Sequence, residues 1–241
     1  MQALKGSLVA LVTPLSSEGE VDYIALKDLV EWHIEQGTHG IVSVGTTGEA
    51  PTLSVHEHSE VIAKTTEYVN ARIPVIAGTG GNSTRDSIAL TKHAKEVGVD
   101  FCLLVTPYYN KPNQEGLMRH FLSIAESVDI PQILYNVPSR TACDILPSTV
   151  KILASHNNIV GIKEASGDLV QISEIIQACD SDFSVISGED ALNWPILALG
   201  GKGFISVTVN IVPKKFAQLY KAASEGDVDT AKSLHYDQLG F

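Results

Sequence analysis

The chain has 241 residues, 44% of them hydrophobic and 19% charged, which suits one α/β barrel or two ordinary domains and excludes a disordered or low-complexity chain. Its net charge of −11 repels phosphate backbones and anionic membranes, which argues against nucleic acid and membrane surfaces as partners. A small anionic substrate stays open, because one local arginine can dominate a pocket.

Short apolar, β-branched runs alternate with longer amphipathic ones. A first strand is expected at 7–13 and a helix over 23–36, with Asp22 as N-cap and Gly37 just past its end. A second strand at 40–45 leads to a helix opening at Ser54, where Ser54 and Glu57 form a capping-box pattern. Further strands are expected at 74–78, 100–106, 132–136, 159–164, 183–187 and 203–208. Their helices follow at 84–97, 114–128, 147–155, 169–178, 191–199 and 213–224. The strands are nearly continuous apolar runs, the mark of parallel strands covered on both faces. Eight β-then-α units predict a (β/α)8 TIM barrel as the catalytic domain over 1–226. Residues 227–241 read as the start of a C-terminal helical region that is cut short. The competing architecture is an open doubly wound sheet, but the first strand ends in Thr13-Pro14-Leu15 and not in a glycine fingerprint.

A barrel of this kind carries its chemistry at the C-terminal strand ends. After the second strand comes Gly45-Thr46-Thr47-Gly48-Glu49, whose hydroxyls and backbone N–H groups can hold a carboxylate, or which is simply a tight turn. After the fourth comes Thr106-Pro107-Tyr108-Tyr109-Asn110, and after the fifth Tyr135-Asn136-Val137-Pro138-Ser139-Arg140-Thr141. A tyrosine can relay protons or merely pack, and an arginine can clamp a carboxylate with two hydrogen bonds. Lys163 stands in the apolar sixth strand, where a lysine seldom belongs. Burial lowers a lysine pKa, and the neutral amine is the form that attacks a ketone. The bland alternative is a buried ion pair with Glu164 or Glu189. The run 78–84 has the composition of a phosphate loop without its lysine, and a phosphate-binding barrel is a poor alternative. His56 and His58 lie about 200° apart on a helix, so they read as solvated residues and not as metal ligands. The three cysteines, Cys102, Cys143 and Cys179, lack metal-ligand spacing and suggest a reducing compartment. No signal peptide or bilayer-spanning run is read, so the expected location is cytoplasmic.

These strand-end segments, with Gly161-Ile162-Lys163-Glu164-Ala165 and Ser187-Gly188-Glu189-Asp190, resemble the dihydrodipicolinate synthase / N-acetylneuraminate lyase family of class I aldolases. They stand in that family's order, and the likeness runs from about Gly6 to about Gly226. The synthase branch is the nearer match, because Arg140 occupies the position that holds the carboxylate of aspartate semialdehyde there. The resemblance implies condensation of pyruvate with L-aspartate 4-semialdehyde through a lysine imine, giving 4-hydroxy-tetrahydrodipicolinate on the way to diaminopimelate and lysine. It implies that Lys163 forms the imine, that Tyr135 shuttles protons, and that Thr46 and Tyr109 complete a hydroxyl relay, Tyr109 coming from a neighbouring subunit. Thr47 would bind the pyruvate carboxylate, Gly188 would allow close approach, and the Ile205 main chain would close the pocket. No metal or organic cofactor is implied, and the expected assembly is a homotetramer or homodimer. A weak L-lysine inhibitor site is expected near Asn82, Asp86 and Tyr108, with Pro51, Val55, His58 and Lys111 at matching positions; Ala50 and Val55 lack polar groups that strongly inhibited members have. The alternatives are another 2-keto acid lyase, such as N-acetylneuraminate lyase, or a barrel that binds ligand without turning it over. Family members usually continue past the barrel as a helical domain, whereas this chain stops at Phe241.

Overall fold

The computed structural model describes residues 4–241. Its strands are β1 (Gly6–Ala10), β2 (Gly40–Ser43), β3 (Val75–Gly78), β4 (Phe101–Val105), β5 (Gln132–Asn136), β6 (Ile159–Glu164), β7 (Ser184–Ser187) and β8 (Gly203–Ser206). Each pairs in parallel with the next, and β8 returns to β1 with Leu8 opposite Ile205, so the expected (β/α)8 barrel closes. The helices are α1 (Tyr23–Glu35), α2 (Val55–Val69), α3 (Thr84–Glu96), α4 (Gln114–Ser127), α5 (Pro138–Thr141), α6 (Pro147–Leu153), α7 (Leu169–Ala178), α8 (Asn193–Ala198), α9 (Pro213–Ser224) and α10 (Val228–Gln238). No helix among the described residues is long and apolar enough to cross a membrane.

Alternation along the strands divides the core into two layers. Leu8, Val42, Ile76, Leu103, Ile133 and Ile186 belong to the cluster that fills the barrel. Their neighbours Val9, Ile41, Val75, Leu104, Leu134 and Val185 belong to the outer clusters under the helices. Capping side chains set the helix starts. Asp22 accepts from the backbone of Ile24 and Ala25, and Asp168 from Val170 and Gln171. Ser54 and Glu57 form the complete capping box. Each such cap stabilises its helix by about 1 kcal/mol. The helix α10 packs on α9, with Ala231 buried.

The strands β1 and β8 stop at Ala10 and Ser206, short of the expected 13 and 208. The structure departs from the sequence expectations at four further places. The second strand stops at Ser43, because Val44 takes φ 47, a left-handed value that β-branched residues rarely adopt. The turn α5 follows β5 directly, with Pro138 preset at its first position, where the missing N–H costs no hydrogen bond. The helix expected over 191–199 is divided into a 3-10 turn, Asp190–Leu192, and α8, since Pro195 cannot donate to the carbonyl four residues earlier. His58 is the fourth: its place in the sequence predicts a solvated side chain, but it is buried between α2 and β3, where its Nε2 donates to the Gly78 carbonyl at 2.8 Å. His56 is the exposed member of that pair.

Gly78 and Gly80 have a packing reason. A Cβ on Gly78 would lie 2.2 Å from the Val44 carbonyl oxygen, and one on Gly80 would lie 2.2 Å from the Val105 nitrogen. Strand ends approach there too closely for any side chain.

Candidate active site

The site starts from the register of β5 and β6. Tyr135 lies opposite Lys163, and Asn136 opposite Glu164. By alternation the first pair points into the barrel and the second outward. Lys163 is only 6% exposed, and its Nζ sits 4.3 Å from the centroid of the Tyr135 ring. Burial lowers the amine's pKa to about 8; the Asp190 carboxylate pulls it up, and the Arg140 guanidinium pushes it further down. The ion pair with Glu164 or Glu189 is not made, and no salt bridge among the described residues involves Lys163. Glu164 instead turns outward and accepts from Asn136 and from the Ser166 backbone.

Tyr135 is buried, which raises its pKa. Arg140 and the Thr46 hydroxyl pull it back, and Glu189 raises it. Thr46, Tyr135 and Arg140 line one wall of a cavity of about 440 Å³, with Tyr108 and Thr141 beside them. Asn82, Asp86 and His58 line the same cavity. Lys163 lies against the Tyr135 ring and is not among the residues that line the cavity.

Arg140 is the third residue of α5, and the next residue anchors that turn. The buried Thr141 Oγ1 accepts from Thr106 Oγ1 at 3.2 Å and can donate to the carbonyls of Val137 and Cys143. Gly188 leaves room for the lysine stem: a Cβ there would be 2.8 Å from Lys163 Cε. Ile205 is buried in the barrel opposite Leu8. Thr47 is half-buried and lies off the cavity wall. Tyr109 is 89% exposed at φ 71 and also lies off that wall. Lys163, Tyr135, Thr46, Arg140 and Gly188 are therefore gathered within one chain, whereas Tyr109 is not.

Three residues with clear structural work carried no role in the sequence reading. They are Asn136 behind Tyr135, Thr141 behind Arg140, and Asp190 near Lys163. For Asn136 the available signal was alternation: a polar residue next to an inward tyrosine has to point at the helices. Among the described residues no group of three or more His, Cys, Asp or Glu side chains is placed to hold a metal. The arrangement offers a low-pKa amine beside a phenol, a hydroxyl and a guanidinium. That set suits attack on a keto acid followed by proton relay.

Comparison with known proteins places the chain in one family. The model of the Dihydrodipicolinate synthetase family matches residues 3–239. A 4-hydroxy-tetrahydrodipicolinate synthase of Thermodesulfovibrio yellowstonii is 58% identical over 232 residues, which is 96% of this chain and 79% of that protein. The crystal structure of the chloride-inhibited dihydrodipicolinate synthase from Acinetobacter baumannii, complexed with pyruvate, superimposes with a TM-score of 0.94 at 52% identity, over 96% of this chain and 80% of the other. That of the Cyanidioschyzon merolae enzyme with lysine bound gives 0.94 at 39% identity, over 98% and 80%. The chain belongs to the dihydrodipicolinate synthetase family.

Proposed function

We propose that the chain condenses pyruvate with L-aspartate 4-semialdehyde to give 4-hydroxy-tetrahydrodipicolinate, through an imine between pyruvate and Lys163. The observation that carries this reading is the buried Lys163 amine, with a pKa of about 8, set against the Tyr135 ring. At neutral pH roughly a tenth of such an amine is neutral and nucleophilic, against well under a thousandth for an ordinary lysine. Its nitrogen attacks the pyruvate ketone, and loss of water leaves the imine. The protonated imine is an electron sink, so a methyl proton leaves and an enamine forms. The enamine carbon attacks the aldehyde of the second substrate. The amino group of that substrate then closes the ring and releases Lys163.

Each step moves a proton; Tyr135 carries it, and Thr46, hydrogen-bonded to it, is the next hydroxyl. Tyr109 completes the relay from a neighbouring copy in a homodimer or homotetramer, a role suited to a side chain that is exposed on its own chain. Thr47 takes the pyruvate carboxylate, the Ile205 main chain closes the pocket, and Gly188 leaves the lysine its path. Arg140 clamps the carboxylate of the semialdehyde. The reaction as written uses no metal or organic cofactor.

Borohydride reduction in the presence of pyruvate tests the imine. The expected result is a pyruvyl adduct mapped to Lys163 by mass spectrometry, and a folded protein without one refutes the reading. Arg140→Ala separates this substrate pair from a lyase of another keto acid. It should cut condensation by about 100-fold or more while trapping by pyruvate persists, and equal loss of both would remove Arg140 from the acceptor site.

Four residues lining the same cavity suit a regulator. Asn82, Asp86, Tyr108 and His58 offer amide, carboxylate, phenol and imidazole groups to an amino acid such as L-lysine. Ala50 and Val55 add no polar contact, so inhibition should be weak. Less than about twofold loss of activity at saturating lysine is expected, and strong inhibition would refute it.

A further inference from the structure

We propose that Asn136 is a positioning residue for this reaction: its carboxamide ties the strand bearing Tyr135 to the strand bearing Lys163 and to the loop bearing Arg140. The inference rests on the imine chemistry proposed above.

Asn136 is fully buried, on the outer face of β5. Its Nδ2 donates to Asp144 Oδ1 at 2.7 Å and to Glu164 at 3.1 Å from Oε1 and 3.2 Å from Oε2. Its Oδ1 accepts from the Ile145 N–H at 3.2 Å. These partners fix the amide's orientation, since the oxygen must meet an N–H and the NH2 must meet two carboxylates. Glu164 is also fully buried and anchors the turn after β6 through the Ser166 N–H at 2.8 Å. Asp144 is held from its other side by Gln171 Nε2 at 3.0 Å. One side chain therefore satisfies two acidic groups and a backbone donor from three segments.

Sequence adjacency makes this bridge matter to the chemistry. Tyr135 precedes Asn136, Lys163 precedes Glu164, and the two pairs lie opposite one another in the ladder. A slip or rotation of β5 against β6 would move the phenol away from the amine. Arg140 lies between Asn136 and Asp144, so the Asn136–Asp144 bond closes the loop that carries the guanidinium. No other side chain of similar size replaces it. Aspartate would set a third carboxylate against two, and serine is too short to span both.

Three variants test the inference. Asn136→Ser introduces no charge and is expected to fold. At saturating pyruvate, borohydride should trap it on Lys163 to the same extent as the parent protein. Its kcat should fall by about 100-fold and its KM for the semialdehyde should rise, the scale set by misplacing reacting groups by about 1 Å. Asn136→Asp should lose more. The triple exchange Asn136→Asp, Asp144→Asn, Glu164→Gln reverses donor and acceptor across the bridge and should recover at least about tenfold over the single variant. A merely structural role would recover melting temperature without kcat. An Asn136→Ser protein within about threefold of the parent kcat overturns the inference, as does a triple exchange that restores stability without kcat. If Asn136→Asp does not fold, Asn136→Ser decides alone. Absence of an adduct in the parent protein would instead refute the imine reading, so the two failures are distinguishable.

Discussion

Gly188→Ala separates the stability of the barrel from the alignment of its nucleophile. The added Cβ would lie 2.8 Å from Lys163 Cε, 3.1 Å from Lys163 Cγ and 3.0 Å from Ala165 Cβ. Carbon atoms rest at about 3.5–4.0 Å, so roughly 1 Å has to be absorbed. The backbone cannot supply it easily, because the Gly188 N–H donates to the Glu164 carbonyl at 2.8 Å in the continuing ladder. Gly188 is not in the left-handed region, so alanine carries no conformational penalty of its own. The lysine stem is the part that can yield. Overpacking of this kind costs about 1–3 kcal/mol, and a rotatable stem puts the cost at the low end. For a chain of this size that is a fall in Tm of roughly 2–5 °C. The chemistry is hit harder, because the displaced atom carries the nucleophile. A 1 Å misplacement is worth about 100-fold in rate, or about 2.7 kcal/mol of barrier. Steady-state condensation, the rate of borohydride trapping and a thermal melt measure the three quantities. A variant with kcat within about threefold of the parent would refute the claim that Gly188 exists to clear the lysine's path.

Lys163→Met should abolish activity and stabilise the fold. Below the native pKa of about 8 the folded state holds an ammonium in apolar surroundings while the unfolded state holds it in water. That penalty is therefore fully present at pH 7 and fades as pH rises from about 8 towards the unfolded ~10.4. It amounts to at most about 3 kcal/mol, and a variant that melts below the parent at pH 7 would contradict it. His33 and His120 are buried, and burial lowers each pKa to about 4. Their contribution is fully present above the unfolded ~6.5 and is lost as pH falls towards the native value of about 4. Denaturant melts at pH 7, 5.5 and 4.5 should show stability dropping by several kcal/mol over that window, and a flat profile would sink the assignment.

The fold was legible where apolar runs met firm punctuation. The strands at 132–136 and 159–164 and the helices at 169–178 and 213–224 appear with the expected ends. Asp168 caps one of those helices, and Pro213 opens the other. The misplaced features depend on partners distant in sequence. Val44 is forced to a positive φ beside Gly78, and nothing in 40–45 announces that pressure. His58 looks like a polar helix residue until β3 presents a free carbonyl to it. At the site, composition marked Lys163 as an oddity in an apolar strand, but not its distance from Tyr135, which follows from the register between two strands. Tyr109 is the converse case. The resemblance assigns it to the relay of a neighbouring subunit, and on its own chain it lies in solvent.

That register links chemistry and architecture. A parallel barrel offers each strand end one residue inward and the next outward. On β5 and β6 the inward pair is Tyr135 and Lys163, and the outward pair is Asn136 and Glu164. The inward lysine must stay unpaired, because a carboxylate in contact would hold it as an ammonium and remove the nucleophile. Glu164 is the nearest acid in sequence, and alternation alone turns it away. Once outward, it is a buried carboxyl that needs donors, and Asn136 and Ser166 supply them. Shifting either residue by one position would bring the acid inside and put the amine among the helices. Strand alternation thus keeps the amine free and gives the acid a use in the frame, which is why the two stand side by side in Lys163-Glu164.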